Sequence, residues 1–259
     1  MTPTPDTAVR ITLTAPVAEV RLHQPAHHNH ITPALRAQLP AALTAAAGHD
    51  AVRAIVLSGL PEVFCAGATP EDLTAPGPAR TLDGWAFVRA AAECPLPVVA
   101  AVRGQAIGGG LLLALYADAV VLSESGTYAA NFLAHGFTPC LGSTHLLPAV
   151  LGTALGTEML YTARPYTGRE LAARGAGTSF APHDRVLDRA HATARRVARA
   201  PRTTLELLKA QLAAPRRAAA ERALAAEIDD HRATLAHHAH HPTPRPHRPS
   251  PPAPTGSTT

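Results

Sequence analysis

Short apolar runs alternate along this chain with stretches of helical spacing. The segment "VRITLTAPVAEVRL" alternates apolar and polar positions on either side of Pro16, which predicts two short strands. In "TPALRAQLPAALTAAA" the residues Leu35, Leu39, Ala42 and Leu43 recur three or four apart, the spacing of one helix face. Thr32 precedes this helix as an N-cap, and Pro33 occupies the first turn, where a missing N–H is tolerated. "AIVLSG", "PLPVVAAVRG" and "DAVVLSE" are continuous apolar runs, as in strands covered on both faces. Strands alternating with helices predict an α/β fold.

Helical spacing returns from about Pro201 to His238, with a break expected at Pro215. The prolines and glycine of "TPEDLTAPGPAR" predict a mobile loop or lid from Thr69 to Arg80. The tail "HHPTPRPHRPSPPAPTGSTT" is too polar and proline-rich to build a core. The expected organisation is a core over residues 1–200, a helical region over 201–238 and a disordered tail over 239–259. No internal sequence repeat is found.

With 259 residues, 46% of them apolar, the chain can bury a large core, enough for one α/β domain or for one domain with a helical appendage. The formal net charge of +4 is spread out. With no basic stripe and no interleaved aromatics, nucleic-acid binding is not expected. The longest apolar run, "LLLALYADAVVL", is too short for a membrane span and contains Asp118. Cys65, Cys94 and Cys140 match no metal spacing, so no metal is expected. Reduced thiols and an N-terminus without an apolar export core predict a cytoplasmic protein.

Two loops carry candidate chemistry. "GQAIGGGLLLALYAD" follows one strand and opens a helix, and "VFCAGATPEDL" follows another. Gly108, Gly109 and Gly110 let backbone approach a ligand closely. Taken alone they read first as a tight strand–helix turn. A backbone N–H at Ala68 meeting that of Gly109 would instead form an oxyanion hole. His231 shares a helix face with Leu224, Ile228 and Leu235, which by spacing alone reads as a core or interface histidine. His135 and His145 read as surface or packing residues, and Cys65 and Cys140 as small packing residues.

"VRAIVLSGLPEVFCAGATPEDL", "PLPVVAAVRGQAIGGGLLLALYADAVVLSE" and "GFTPCLGSTHLL" together resemble the crotonase (enoyl-CoA hydratase/isomerase) superfamily over roughly residues 8–238. The resemblance implies an α/β spiral of ββα turns, with C-terminal helices that serve oligomerisation as a trimer or hexamer. It implies that Ala68 and Gly109 are the oxyanion donors. Hydratases of that family use two glutamates; here those positions are Leu112 and Phe132. Without both acid/base groups, simple hydration is not expected.

The segment "YAANFLAHGFTPCLGST" is similar to the crotonase-like decarboxylases of polyketide β-branching. This resemblance implies a 3-methylglutaconyl thioester on an acyl carrier protein as substrate. The thioester sits on phosphopantetheine or coenzyme A, and no other cofactor is expected. It implies that His231, in the matching "E-I-x-x-H" segment, is the active-site histidine, acting as an imidazolium or as a neutral donor. Leu112, Asn131, Phe132 and Phe137 would surround the acyl group. Members of that subgroup carry a Tyr and a Lys on the lid where this chain has Asp72 and about Pro76. Arg80 is the nearest cation and would bind the substrate carboxylate in their place. Arg21, Arg103 and the C-terminal arginines are candidates for contact with an acidic carrier. A dehydratase or double-bond isomerase on similar thioesters, and a non-catalytic carrier-binding scaffold, stand as alternatives.

Overall fold

The computed structural model describes residues 7–69 and 87–240, with side chains as far as 237. The two predicted N-terminal strands form an antiparallel hairpin, β1 (Val9–Thr14) and β2 (Val17–Leu22), in register Val9 to Leu22. Helix α1 (Pro33–Ala47) begins as expected. The Thr32 side chain accepts a hydrogen bond from the Leu35 N–H, and Leu35, Leu39, Ala42 and Leu43 are buried.

From there successive strands alternate between two sheets. β3 (Ala54–Ser58), β5 (Val98–Val102) and β7 (Ala119–Ser123) pair in parallel beside β2. β4 (Val63–Cys65), β6 (Gln105–Ile107) and β8 (Thr127–Ala129) form a second sheet, joined in antiparallel fashion by β9 (Tyr166–Thr167). β10 (Ser179–Ala181) closes the first sheet against β7. Each pass of the chain thus adds one strand to each sheet, which makes a spiral of structural repeats with no repeat in sequence. Every residue of β3 and β5 is buried, as their continuous apolar runs predict.

The helices after β1–β10 begin are α2 (Ala90–Glu93), α3 (Gly109–Leu115), α4 (Ser143–Leu151), α5 (Thr153–Thr162), α6 (Gly168–Ala173), α7 (Val186–Val197) and α8 (Arg202–His240). α7 buries Val186, Ala190 and Ala194 against Val56, Val99 and Val121 of the first sheet. The main core lies on the other side, among α1, α3, both sheets and α8.

α8 corrects one expectation. It runs through Pro215 without a break and continues to His240. A proline removes one helical hydrogen bond and crowds the preceding turn. Here Ala213, Ala220, Leu224, Ile228 and Leu235 stay buried on both sides of it, so packing of one continuous face outweighs that local cost. Of the expected disordered tail, residues 241–259 lie outside the described residues. Among the described residues, no helix is long and apolar enough to cross a membrane.

Candidate active site

The loop after β4 and the loop after β6 meet. Gly67 has φ +80°, and a Cβ there would lie 2.6 Å from the Ile107 carbonyl oxygen and 3.9 Å from the Gly109 nitrogen. Only glycine permits that approach. The Gly67 carbonyl oxygen accepts from the Ile31 N–H at 2.9 Å and lies 2.9 Å from His30 Nδ1. A trans peptide points its N–H opposite its C=O, so the Ala68 N–H is turned away from residues 30 and 31. The Gly108 carbonyl accepts from Leu111 and Leu112 inside α3, which turns the Gly109 N–H outward from the helix start. Neither N–H has an acceptor among the described residues.

Ala68, Gly109, Phe132 and Phe137 line two adjoining cavities at once. The first adds Ile31, Arg36, Phe87, Cys140, Leu141, His231 and Leu235. The second adds Gly108, Asn131 and His135 among others. The described lining of both contains no Asp and no Glu. The positions that replace the two glutamates differ in what they do. Phe132 is a wall of both cavities. Leu112 is fully buried in α3 and is not part of the lining of either cavity. Leu112 is therefore a core residue, contrary to its expected role beside the acyl group.

His231 arrives from α8 and is 1% exposed. Its Nδ1 is 2.7 Å from the Thr138 carbonyl oxygen. A carbonyl only accepts, so Nδ1 carries the proton and Nε2 is unprotonated in the neutral ring. Burial pushes the imidazole below its ordinary pKa, partly offset by the Thr138 bond. The expected alternative of a neutral donor is thereby corrected: Nε2 donates only from the imidazolium. The Phe137 ring stands edge-on to His231, with centroids 5.3 Å apart, and stacks on His135 at 5.9 Å.

α8 grips the 138–144 loop at two further points. The Thr234 hydroxyl accepts from the Thr138 N–H at 3.1 Å. Glu227, one turn before His231, accepts from the Gly142 N–H at 2.7 Å, the Thr144 N–H at 2.8 Å and the Thr144 hydroxyl at 2.6 Å. Its burial raises the carboxyl above its ordinary range, against the lowering effect of those bonds. Glu227 lies outside both cavities.

Asn131 and His135, four residues apart, are joined side chain to side chain at 3.0 Å in the second cavity. His135 is thus a cavity residue rather than the surface or packing residue its sequence suggested. Nothing in its spacing marks it, because the segment is a turn of 3-10 helix rather than a periodic element. Arg36, on α1, is a cation of the first cavity that the sequence reading passed over; its place beside the buried stripe of Leu35 and Leu39 was the available signal. Cys140 lines the first cavity, and burial holds its thiol well above the ordinary range. Buried Cys65 is pushed up to about 12. Neither is a ready nucleophile. Arg21 pairs with Glu19 at 2.7 Å. Arg80, Asp72 and Pro76 lie outside the described residues. Among the described residues, no group of three or more His, Cys, Asp or Glu is placed to hold a metal ion.

Residues 12–243 match the enoyl-CoA hydratase/isomerase family. The chain is 34% identical to the bacillaene synthase decarboxylase PksI of Bacillus subtilis over 88% of its own length and 92% of that protein. The ECH2 decarboxylase domain of CurF from Lyngbya majuscula superposes with a TM-score of 0.82 at 32% identity, over 89% of this chain and 95% of that one. A chain from a structural study of a dehydratase/decarboxylase couple in polyketide β-branching superposes with a TM-score of 0.83 at 33% identity, over 88% and 94%. A spiral of two-sheet repeats, two loops that bring Ala68 and Gly109 to the same cavities and these likenesses agree: the chain belongs to the enoyl-CoA hydratase/isomerase family and groups with its polyketide β-branching decarboxylases.

Proposed function

We propose that this chain removes carbon dioxide from a 3-methylglutaconyl-type thioester carried by an acyl carrier protein, during polyketide β-branching. The relatives named as decarboxylases support this reading. The observation that carries it is local. One cavity holds Ala68, Gly109 and His231, and its described lining has no carboxylate. That arrangement suits a reaction that makes an enolate without a carboxylate base.

In this reading the thioester oxygen accepts from the N–H groups of Ala68 and Gly109. The bond to the departing carboxylate breaks, and its electron pair moves through the conjugated double bond onto the thioester oxygen. Carbon dioxide leaves and a dienolate remains. Each backbone donor to that oxyanion contributes about 3–4 kcal/mol. Phe132, Phe137 and Leu141 form an apolar wall that favours neutral carbon dioxide over the carboxylate. A proton must then reach carbon, and His231 delivers it from Nε2 as the imidazolium. The arriving carboxylate supplies the negative charge that offsets burial and raises the histidine's proton affinity. Asn131 borders the thioester from the second cavity. Oligomer contacts of α8 are supported by Leu207, Leu208 and Leu212, which are about half or more exposed on that helix.

The test is intact-mass detection of the carrier-bound acyl group. Wild type incubated with 3-methylglutaconyl carrier protein should lose the mass of carbon dioxide. No loss, with water removed from a 3-hydroxy-3-methylglutaryl carrier instead, would replace this reading with a dehydratase. No turnover with tight carrier binding would replace it with a scaffold.

A further inference from the structure

The first cavity holds a permanent cation as well as a histidine. Among its described lining, Arg36 is the only guanidinium or ammonium group, and the other walls are mainly apolar. Its place is fixed by the start of α1. Thr32 caps the helix, the Arg36 N–H bonds the Thr32 carbonyl at 3.0 Å, and buried Leu35 and Leu39 set the helix rotation. The Arg36 guanidinium carbon lies 5.5 Å from the centroid of Phe87, a second wall of the same cavity. That contact holds the long side chain against a ring. A guanidinium so held has in-plane N–H groups that match the two oxygens of a carboxylate.

We propose that Arg36 anchors the carboxylate of the acyl group and selects carboxylated thioesters over uncharged ones. The proposal rests on the decarboxylase reading and names the residue that gives it substrate selectivity. The two basic groups of the cavity divide the work. Arg36, a guanidinium, binds, whereas His231 gains and loses a proton and transfers it. A fixed cation stabilises the intact carboxylate at least as well as the transition state, in which that charge is moving to the thioester oxygen. Arg36 therefore acts on substrate binding rather than on the rate of carbon–carbon cleavage.

The probes are glutaryl-pantetheine and valeryl-pantetheine. They match in length, differ in one carboxylate, and lack the double bond that decarboxylation needs. Wild type should bind the glutaryl probe more tightly by about tenfold, the scale of one charge-assisted pair. Arg36→Gln should lose that preference while binding the valeryl probe within about twofold of wild type, and Arg36→Lys should restore part of it. With 3-methylglutaconyl carrier, Arg36→Gln should raise KM about tenfold and leave kcat within about threefold. The proposal is overturned if wild type shows no preference, if the preference survives in Arg36→Gln, or if both probes weaken together, which would mark a collapsed Phe87 wall. Carbon dioxide release by wild type reports separately on the decarboxylase reading. A glutaryl preference that depends on Arg36, without any release, would keep the anchor and remove the reaction.

Discussion

His231 Nδ1 lies 2.7 Å from the carbonyl oxygen of Thr138, a residue 93 positions earlier in the chain. That one bond fixes the tautomer and leaves acid–base chemistry to Nε2. Replacing His231 by Ala removes the proposed proton donor. Decarboxylation should slow by about 10²–10⁴-fold, while carrier binding persists. Single-turnover intact-mass measurements check both. An unchanged rate would take His231 out of the mechanism.

The pH dependence follows from burial. Burial holds His231 below its ordinary value of 6.5, so its imidazolium is scarce at neutral pH. The kcat/KM value reports free enzyme and should rise as pH falls through neutral, with a limb below pH 6.5. In the complex the substrate carboxylate favours the imidazolium, so the limb of kcat should sit at higher pH. Coincident limbs would mean that the substrate carboxylate does not face His231.

Glu227 is predicted to act as a positioning residue. Glu227→Gln keeps the shape but sets an amide N–H₂ against donors from Gly142 and Thr144. Loss of a buried, charge-assisted set of this kind costs about 1–3 kcal/mol, and the thermal midpoint should fall by several degrees. Turnover should fall with it, and the kcat limb assigned to His231 should shift, because the anchor one turn from the histidine is loosened. An unchanged pH profile would confine Glu227 to stability.

Neighbouring glycines should behave differently. A methyl at Gly109 would meet Ile31 Cδ1 at 2.9 Å and Leu141 Cδ1 at 3.2 Å, the mobile ends of two cavity walls. Gly109→Ala should therefore fold but lose activity by tenfold or more, since displacements near 1 Å at a reacting centre cost about 10²-fold. A methyl at Gly110 meets the Cys65 backbone oxygen, which cannot step aside. Gly110→Ala should yield little folded protein. Circular dichroism melts alongside turnover separate the two cases.

Acid stability should depend on Glu19. Burial raises its carboxyl, but hydrogen bonds with His191, Ser58 and Arg21 pull it down to about 2 from 4.5. As pH falls, the unfolded chain takes up that proton first. The stabilisation is therefore full above pH 4.5 and is lost as pH falls towards 2. Its size is on the order of 2–3 kcal/mol. Urea melts of Glu19→Gln should show lower stability at pH 7 and a shallower decline below pH 4.5.

The sequence made local features legible. The Thr32 cap, the paired strands around Pro16 and the buried strands β3, β5 and β7 all follow from short-range pattern. So does the meeting of the Ala68 and Gly109 loops, once the family resemblance joins two glycine turns. What escaped was set by distant partners. Nothing near Arg36 tells that Phe87 will face it, and nothing near His135 tells that Phe137 and Asn131 will hold it in a cavity. Glu227 lies four residues before His231, on the same buried stripe, so its spacing was a usable sign. Pro215 misled because a local helix breaker lies on a face whose packing extends well beyond it.

The grip of α8 on the 138–144 loop also orders the assembly of the site in time. Ala68 and Gly109 leave the ribosome long before the helix that bears His231. In the proposed reading, a partly made chain carries the two backbone donors but not the group that protonates the dienolate. When α8 docks through Glu227, His231 and Thr234, the same contacts seal the core and, in that reading, bring in the acid, so full turnover awaits a chain that has finished folding.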